Sequence, residues 1–158
     1  MNMAKYYYCA RCLSISLDKE IVKIAVTKKQ RIFTYYISQE KSMNRVIVTG
    51  SKDFDDYDFL KRKLDLLLKD KSDIVIVSDE EKIGTMGEKW AVSNDADIVS
   101  FPIHWDEYGR DAAKIRNDLM YNFANYSLIF WNGMKNDQAG FAVGAAKKYG
   151  IDYKIIRY

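Results

Sequence analysis

A regular alternation of short apolar runs with amphipathic segments from residue 44 onward constrains the fold of this chain more than any other feature. Its first unit is residues 44–54, in which the β-branched run Val-Ile-Val at 46–48 ends in Thr-Gly-Ser. Two acids follow, Asp55 and Asp56, and then an amphipathic stretch that is predicted to be a helix. Either acid can cap the N-terminus of that helix. Strand, tight turn and helix in this order are typical of an open α/β sheet.

The same unit recurs to the end of the chain. Strands are predicted at 45–49, 73–78, 97–102, 127–131 and 153–157. Helices are predicted at 57–69, 84–94, 111–125 and 138–149, the last closed by Gly150. Strands alternating with helices indicate a Rossmann-like, doubly wound, five-stranded and mainly parallel sheet with helices on both faces. In the third helix, the spacing predicts a buried side made of Ala112, Ile115, Leu119 and Phe123.

Residues 1–43 follow a different pattern and are predicted to be an N-terminal β-hairpin extension, which makes 44–158 a separate Rossmann-like domain. Runs at 20–27 and 32–38 are rich in β-branched and aromatic residues and flank the polar turn 28–31. Because an isolated hairpin is marginally stable in water, we expect it to serve as an extra sheet element or as a contact between copies of the chain. The sequence therefore predicts a homo-oligomer, at least a dimer.

Composition excludes several classes of protein. The 158 residues carry a net charge of only +3, with basic and acidic residues interleaved, so a nucleic-acid partner is not expected. No apolar run is long enough to span a membrane, and no signal-peptide pattern is visible, so we expect a cytoplasmic protein without a membrane partner. No cofactor is indicated. Cys9 and Cys12 have the spacing of half a zinc site, but one pair cannot complete a tetrahedral site, and ordinary thiols are the favoured interpretation.

Four loops are expected to converge at the carboxyl edge of the sheet, where ligands bind in this architecture. The first contains Gly50, Ser51 and Lys52, which suit the approach of a phosphate, although a plain strand–helix turn explains them equally well. The second, residues 79–84, contains three acids that would repel a phosphate, and a solvated loop is the favoured interpretation.

The third loop and the helix after it are the most distinctive. Trp105 and Tyr108 have rings suited to stacking on a base, and Arg110 and Arg116 have guanidinium groups suited to a phosphate. The pair Arg116 and Asn117 lies about two turns into the helix, so tying that helix to a neighbouring loop is an equally weighted alternative. His104, the single histidine, is expected to have a surface or packing role.

The fourth loop begins with Asn132 and Gly133, a pair typical of a tight turn, and leads into a helix at Asp137. A helix N-terminus in this position is suited to an anion, although Asp137 would also satisfy the helix end as an ordinary N-cap.

Several of these motifs together resemble the YspA-like branch of the SLOG (SMF/DprA–LOG) superfamily. The matching blocks are Val-Thr-Gly-Ser-Lys-Asp-Phe at 48–54, Gly-Glu-Lys-Trp-Ala at 87–91, Phe-Pro-x-x-Trp-x-x-Tyr-Gly at 101–109, Ala-Ala at 112–113, Arg-Asn at 116–117 with Met120, and Phe-Trp-Asn-Gly at 130–133. The resemblance implies a Rossmann-like fold that binds nucleotides or nucleotide-derived ligands. Related LOG proteins are phosphoribohydrolases, and other relatives are sensors in microbial and phage conflict systems.

The chain departs from the family pattern in two loops. The paired glycines of the second loop are absent, and Asp137-Gln138 replaces the Gly-Thr of the fourth. The LOG catalytic glutamate would fall at Phe141, so catalysis is uncertain and not favoured, although Asp79, Glu80 or Glu81 remain candidate substitutes. Three functions stay open: a non-catalytic nucleotide-ligand sensor or sequestering protein, a LOG-type phosphoribohydrolase, and an interaction protein with a decayed pocket.

Overall fold

The structure is a computed structural model that describes residues 43–135 and 137–158 with their side chains. Of the residues before 43, it describes the backbone alone of Lys5–Tyr7, Ile21–Val26 and Arg31–Tyr36, each of which is a strand. The turn of the predicted hairpin and its flanking residues lie outside the described residues, as do Cys9 and Cys12. The hairpin extension and the domain boundary at residue 43 therefore remain predictions.

Five parallel strands form the sheet of residues 43–158. They are β1 (Asn44–Gly50), β2 (Ile74–Ser78), β3 (Asp97–Ser100), β4 (Tyr126–Trp131) and β5 (Asp152–Arg157). The order across the sheet is β3-β2-β1-β4-β5, and every neighbouring pair among them is parallel. The chain thus builds the sheet outward from β1 in one direction and then returns to add β4 and β5 on the other side. The predicted Rossmann-like sheet is confirmed.

Four long helices cover the two faces of this sheet. They are α1 (Tyr57–Leu68), α2 (Lys82–Ser93), α3 (Ala112–Phe123) and α4 (Gln138–Tyr149). A helical turn at Trp105–Tyr108 and a 3-10 turn at Gly109–Asp111 precede α3. Helices α1 and α2 pack on the face that includes Val46 and Val48, while α3 and α4 pack on the face that includes Ile47. None of the helices in the described part of the chain is long and apolar enough to cross a bilayer.

Local signals set the ends of the helices. The side chain of Asp56, rather than Asp55, accepts a hydrogen bond from the Phe59 amide (2.8 Å) and caps α1. Gly150 closes α4 in the left-handed conformation (φ 64°), as predicted.

The buried face of α3 differs from the prediction. Its buried residues are Ala112, Arg116, Met120 and Tyr121, while Ile115, Leu119 and Phe123 are only partly buried. Apolar spacing alone missed this face because one of its central positions holds an arginine, whose partners lie on a distant loop.

Candidate functional site

A cleft opens at the carboxyl edge of the sheet, where the chain reverses the direction in which it adds strands. Crevices at this point are the usual ligand sites of open α/β sheets. The larger part of the cleft is a cavity of about 440 Å³, here called the apolar compartment. From α3 and α4 the lining includes the polar Arg116, Asn117 and Gln138 as well as six residues that are apolar or aromatic: Ala113, Met120, Tyr121, Phe141, Ala142 and Ala145.

A second cavity of about 290 Å³, here called the lysine compartment, adjoins the first at the turn after β1. Its own lining is Gly50, Ser51, Lys82 and Ile83. Both compartments share five lining residues: Thr49, Lys52, Asp79, Glu81 and Gln138. The shared residues make the two cavities parts of one continuous cleft.

Asp79 follows β2 directly and is only 6% exposed. Its Oδ1 accepts a hydrogen bond from the Glu81 amide (3.0 Å). Burial raises the pKa of Asp79, and the nearby Arg116 opposes that rise only in part. The carboxyl group fits here because residue 84 is glycine: a Cβ on Gly84 would lie 2.2 Å from Asp79 Oδ1.

Arg116 reaches from α3 to the loop after β2 and holds it in place. Its Nη1 donates to the Asp79 carbonyl oxygen (2.8 Å), its Nη2 to Glu81 Oε1 (3.0 Å) and its Nε to Asn117 Oδ1 (2.9 Å). Gln138 Nε2, on α4, donates to the other Glu81 oxygen (3.1 Å). Burial favours a raised pKa for Glu81, but the hydrogen bonds from Arg116 and Gln138 outweigh it, so the pKa is lowered. Glu81 therefore bridges α3 and α4 across the cleft.

Half of the residues predicted as binding residues line this cleft: Gly50, Ser51, Lys52, Arg116 and Asn117. Two of them have clear packing roles as well. A Cβ on Gly50 would lie 2.1 Å from the Phe130 carbonyl oxygen, so glycine is needed there for the approach of β4. Ser51 is fully buried, and its hydroxyl accepts a hydrogen bond from the Asn132 amide (3.4 Å).

The third-loop residues do not line either compartment. Trp105 is 57% exposed on the short helical turn, and Arg110 is exposed in the 3-10 turn that follows. Tyr108 and His104 line a separate crevice of about 10 Å³ beside α3, too small for a ligand.

Asn132, at the start of the fourth loop, is tied to the first loop instead of lining the cleft, and Gly133 does not line it either. Asn132 Nδ2 donates to both carboxylate oxygens of Asp53 (3.1 and 3.0 Å), and the Tyr158 hydroxyl donates to Asp53 Oδ1 (2.7 Å). The hydrogen bond from Tyr158 makes the largest contribution to lowering the pKa of Asp53, and those from Asn132 come next. Gly133 takes a positive φ of 94°, as a tight turn requires.

Asp137 lines the apolar compartment and caps α4. Its Oδ1 accepts a hydrogen bond from the Gln138 amide (2.7 Å). The Asp137 carboxylate therefore occupies the N-terminus of α4, where the sequence had suggested either an N-cap or a bound anion.

Sequence reasoning missed several lining residues, and its solvated-loop interpretation of residues 79–84 was wrong for the buried Asp79, while Glu81 is partly exposed. The available signal was position, because Asp79 stands directly after a buried strand at the edge where ligands bind. Phe141 was noted only for the carboxylate it lacks, yet it is a lining residue that is 71% exposed. Within the described ranges, no group of three or more His, Cys, Asp or Glu side chains is arranged to hold a metal.

Residues 44–108 match the family described as YspA, cpYpsA-related SLOG. Over these residues the chain is similar to the SLOG family, as the motifs at 48–54, 87–91 and 101–109 indicated, whereas the motifs at 112–133 lie beyond the match. A search of curated proteins found no match, and a search of solved structures found none either.

Proposed function

We propose that the protein binds a nucleotide or nucleotide-derived small molecule in the cleft without converting it, as a sensor or sequestering protein. Similarity to the SLOG family implies a nucleotide-related ligand. The observation that carries the proposal is the composition of the cleft. The larger compartment contains the exposed ring of Phe141, which is suited to a base. Lys52, which lines both compartments, and Lys82, which lines the smaller one, supply positive charge suited to a phosphate.

Phe141 supports binding over catalysis. It lines the cleft at the position where the resemblance to LOG hydrolases would place a catalytic glutamate. A phenyl ring cannot transfer a proton, whereas an aromatic face next to a cavity can stack on a base. Lys52 and Arg116, from the predicted set, supply positive charge to the same cleft.

Thermal unfolding in the presence of a nucleotide panel tests the proposal. The panel comprises nucleoside mono-, di- and triphosphates, cyclic mononucleotides and cyclic dinucleotides. A panel member at about 100 times its Kd stabilises the protein by about 2.7 kcal/mol, which raises the midpoint by several degrees. If no member of the panel raises the midpoint of thermal unfolding, the proposal is refuted.

A pair of variants locates the binding. Ala113→Trp fills the apolar compartment and is expected to abolish the shift. Gly144→Trp is the matched control, because a Cβ at Gly144 meets no atom within 4 Å. Loss of the shift in both variants, or in neither, would count against this cleft as the site.

Asp79 favours a second candidate, hydrolysis of the N-glycosidic bond of a nucleotide. Its buried carboxyl group lines the cleft and has a raised pKa, which are properties of a general acid. In this reaction the Asp79 carboxyl would protonate the departing base as the bond between the base and the C1′ carbon breaks. Water would add to C1′, and the proton that this water releases would restore the carboxyl group. Chromatography of nucleoside monophosphates incubated with the protein tests it: free base must appear, and Asp79→Asn must abolish its release.

A further inference from the structure

Glu81 extends its side chain across the middle of the cleft. Its Oε1 accepts a hydrogen bond from Arg116 Nη2 on α3 (3.0 Å), and its Oε2 accepts one from Gln138 Nε2 on α4 (3.1 Å). Glu81 lines both compartments, so its carboxylate lies where the two cavities join. Both oxygens of this carboxylate are therefore bound by the cleft itself, from two different helices.

The groups that bind Glu81 are those that an anionic ligand of the cleft would need. Arg116 is only 5% exposed, and Glu81 is its ion-pair partner. Burial opposes a charged Glu81, but the hydrogen bonds from Arg116 and Gln138 outweigh it, and the charge of Lys52 helps to keep the pKa of Glu81 lowered. Charge-assisted hydrogen bonds of this kind are also how proteins hold bound oxyanions. The carboxylate thus occupies the place of an anion.

The Glu81 side chain can leave this place without unfolding the loop that contains it. It is 40% exposed and belongs to neither core of the sheet. Glu81 is the N-cap residue of α2, yet its side chain makes no capping hydrogen bond. The loop backbone is held separately, because Asp79 Oδ1 accepts from the Glu81 amide and Arg116 Nη1 donates to the Asp79 carbonyl oxygen. Rotation of one side chain is therefore enough to vacate the position.

We propose that Glu81 is an autoinhibitory residue: its carboxylate occupies an anion position formed by Arg116 and Gln138, and an anionic ligand binds there only after that carboxylate rotates away. The apparent affinity of the cleft for an anion then depends on the fraction of molecules that Glu81 has vacated, because only these are competent to bind. The inference goes beyond the proposed function, since it concerns the entry of any small oxyanion and requires no nucleotide.

Isothermal titration with inorganic phosphate, at an ionic strength held constant with chloride, tests this contact. We expect Glu81→Ala to bind phosphate about tenfold more tightly than the native protein, which corresponds to a competent fraction of about one tenth in the native protein. Glu81→Gln removes the charge but keeps a side chain of similar shape, so its phosphate affinity should lie between those of the native protein and Glu81→Ala.

Two controls separate the loss of this contact from a change in net charge. Glu107→Ala removes an exposed carboxylate on the turn before α3, outside both compartments, and should leave the phosphate Kd unchanged. Arg116→Gln in the Glu81→Ala background should abolish the gain in affinity, because it removes the group that Glu81 releases. If that double variant does not fold, the partly exposed Gln138 is replaced instead, and Gln138→Ala in the same background should reduce the gain.

Thermal unfolding supplies a second measurement. Glu81→Ala leaves the buried Arg116 without its ion pair, so the midpoint should fall. Saturating phosphate should raise the midpoint of this variant by more than that of the native protein, because the vacated position accepts the anion. If Glu81 only links the helices, the midpoint falls in the same way but phosphate does not restore it.

Equal phosphate affinity in Glu81→Ala and the native protein, or an equal gain in Glu107→Ala, would overturn the autoinhibitory role. The nucleotide panel tests the proposed function separately. If a panel member binds the native protein and Glu81→Ala gains no phosphate affinity, the autoinhibitory role is refuted and the proposed function stands. If Glu81→Ala gains phosphate affinity while no panel member binds either protein, the autoinhibitory role stands and the proposed function fails.

Discussion

At the scale of the residue, Asp79 places a buried carboxyl group at the end of β2, where it lines the cleft. Its carboxyl is 6% exposed, and the folded state therefore disfavours its charged form. Arg116 offsets this in part, with its guanidinium bound to the Asp79 carbonyl oxygen and to Glu81. The loop after β2 is thereby rigidly positioned around a carboxyl group that is costly to ionise.

The raised pKa of Asp79 predicts a pH-dependent stability. Because the unfolded chain ionises first, near the usual value of 3.8, the stability associated with protonated Asp79 is lost as pH rises toward the folded pKa. Asp79→Asn removes this titration. The free energy of unfolding of the variant, relative to the native protein, should therefore increase from pH 4 upward and level off above the folded pKa.

Urea unfolding at a series of pH values measures this difference. Asp70→Asn is the control for the loss of one carboxylate, since the Asp70 side chain is 87% exposed. A flat profile for Asp79→Asn would show that the folded protein does not raise the pKa of Asp79.

At the scale of the element, two glycines let α2 lie close to its neighbours. A Cβ on Gly87 would come within 3.1 Å of Val48 Cβ on β1. Gly84 makes room for the Asp79 side chain at the start of the same helix. The position of α2, and with it one side of the cleft, depends on residues without side chains.

Matched glycine replacements test this dependence. Gly84→Ala is expected to destabilise the fold by about 1–3 kcal/mol, because the added methyl group overlaps a buried carboxylate. Gly144→Ala, in the open part of α4, should stabilise it by about 0.5–1 kcal/mol through helix propensity alone. Chemical denaturation measures both, and an equal effect at the two sites would contradict the proposed packing role of Gly84.

At the scale of the whole molecule, the strand order places the cleft. Because β4 returns to pair with β1, the loops after β1 and β2 face the beginning of α4 across the edge of the sheet. Residues that are distant in sequence, such as Lys52, Arg116 and Gln138, therefore line one cavity.

The N-terminal residues lead to a prediction at this scale. If they form a hairpin that contacts another copy of the chain, light scattering of the full chain at micromolar concentration should give at least a dimer. Deletion of residues 1–42 should then lower the mass to that of a monomer. A monomeric full chain would refute the predicted homo-oligomer.

Periodicity and turn chemistry were sufficient to predict the strands, the helices and the parallel sheet, because these depend on residues close together in sequence. The prediction for 138–149 coincides with α4, and Gly150 ends it as expected. The motif Thr-Gly-Ser-Lys lies at one wall of the cleft, since Gly50, Ser51 and Lys52 all line it.

The other walls of the cleft could not be predicted, because their residues contact partners that are distant in sequence. The burial of Arg116 follows from acceptors 35 and 37 positions away, and the burial of Asp79 follows from a glycine on the next helix. Trp105, Arg110 and Asn132 have the chemistry of binding residues but lie outside both compartments. The sequence therefore determined which residues have the chemistry of a binding site. Only the packing of the helices on the sheet decided which of them lie together, because burial and hydrogen bonding depend on distance in space and not on separation in sequence.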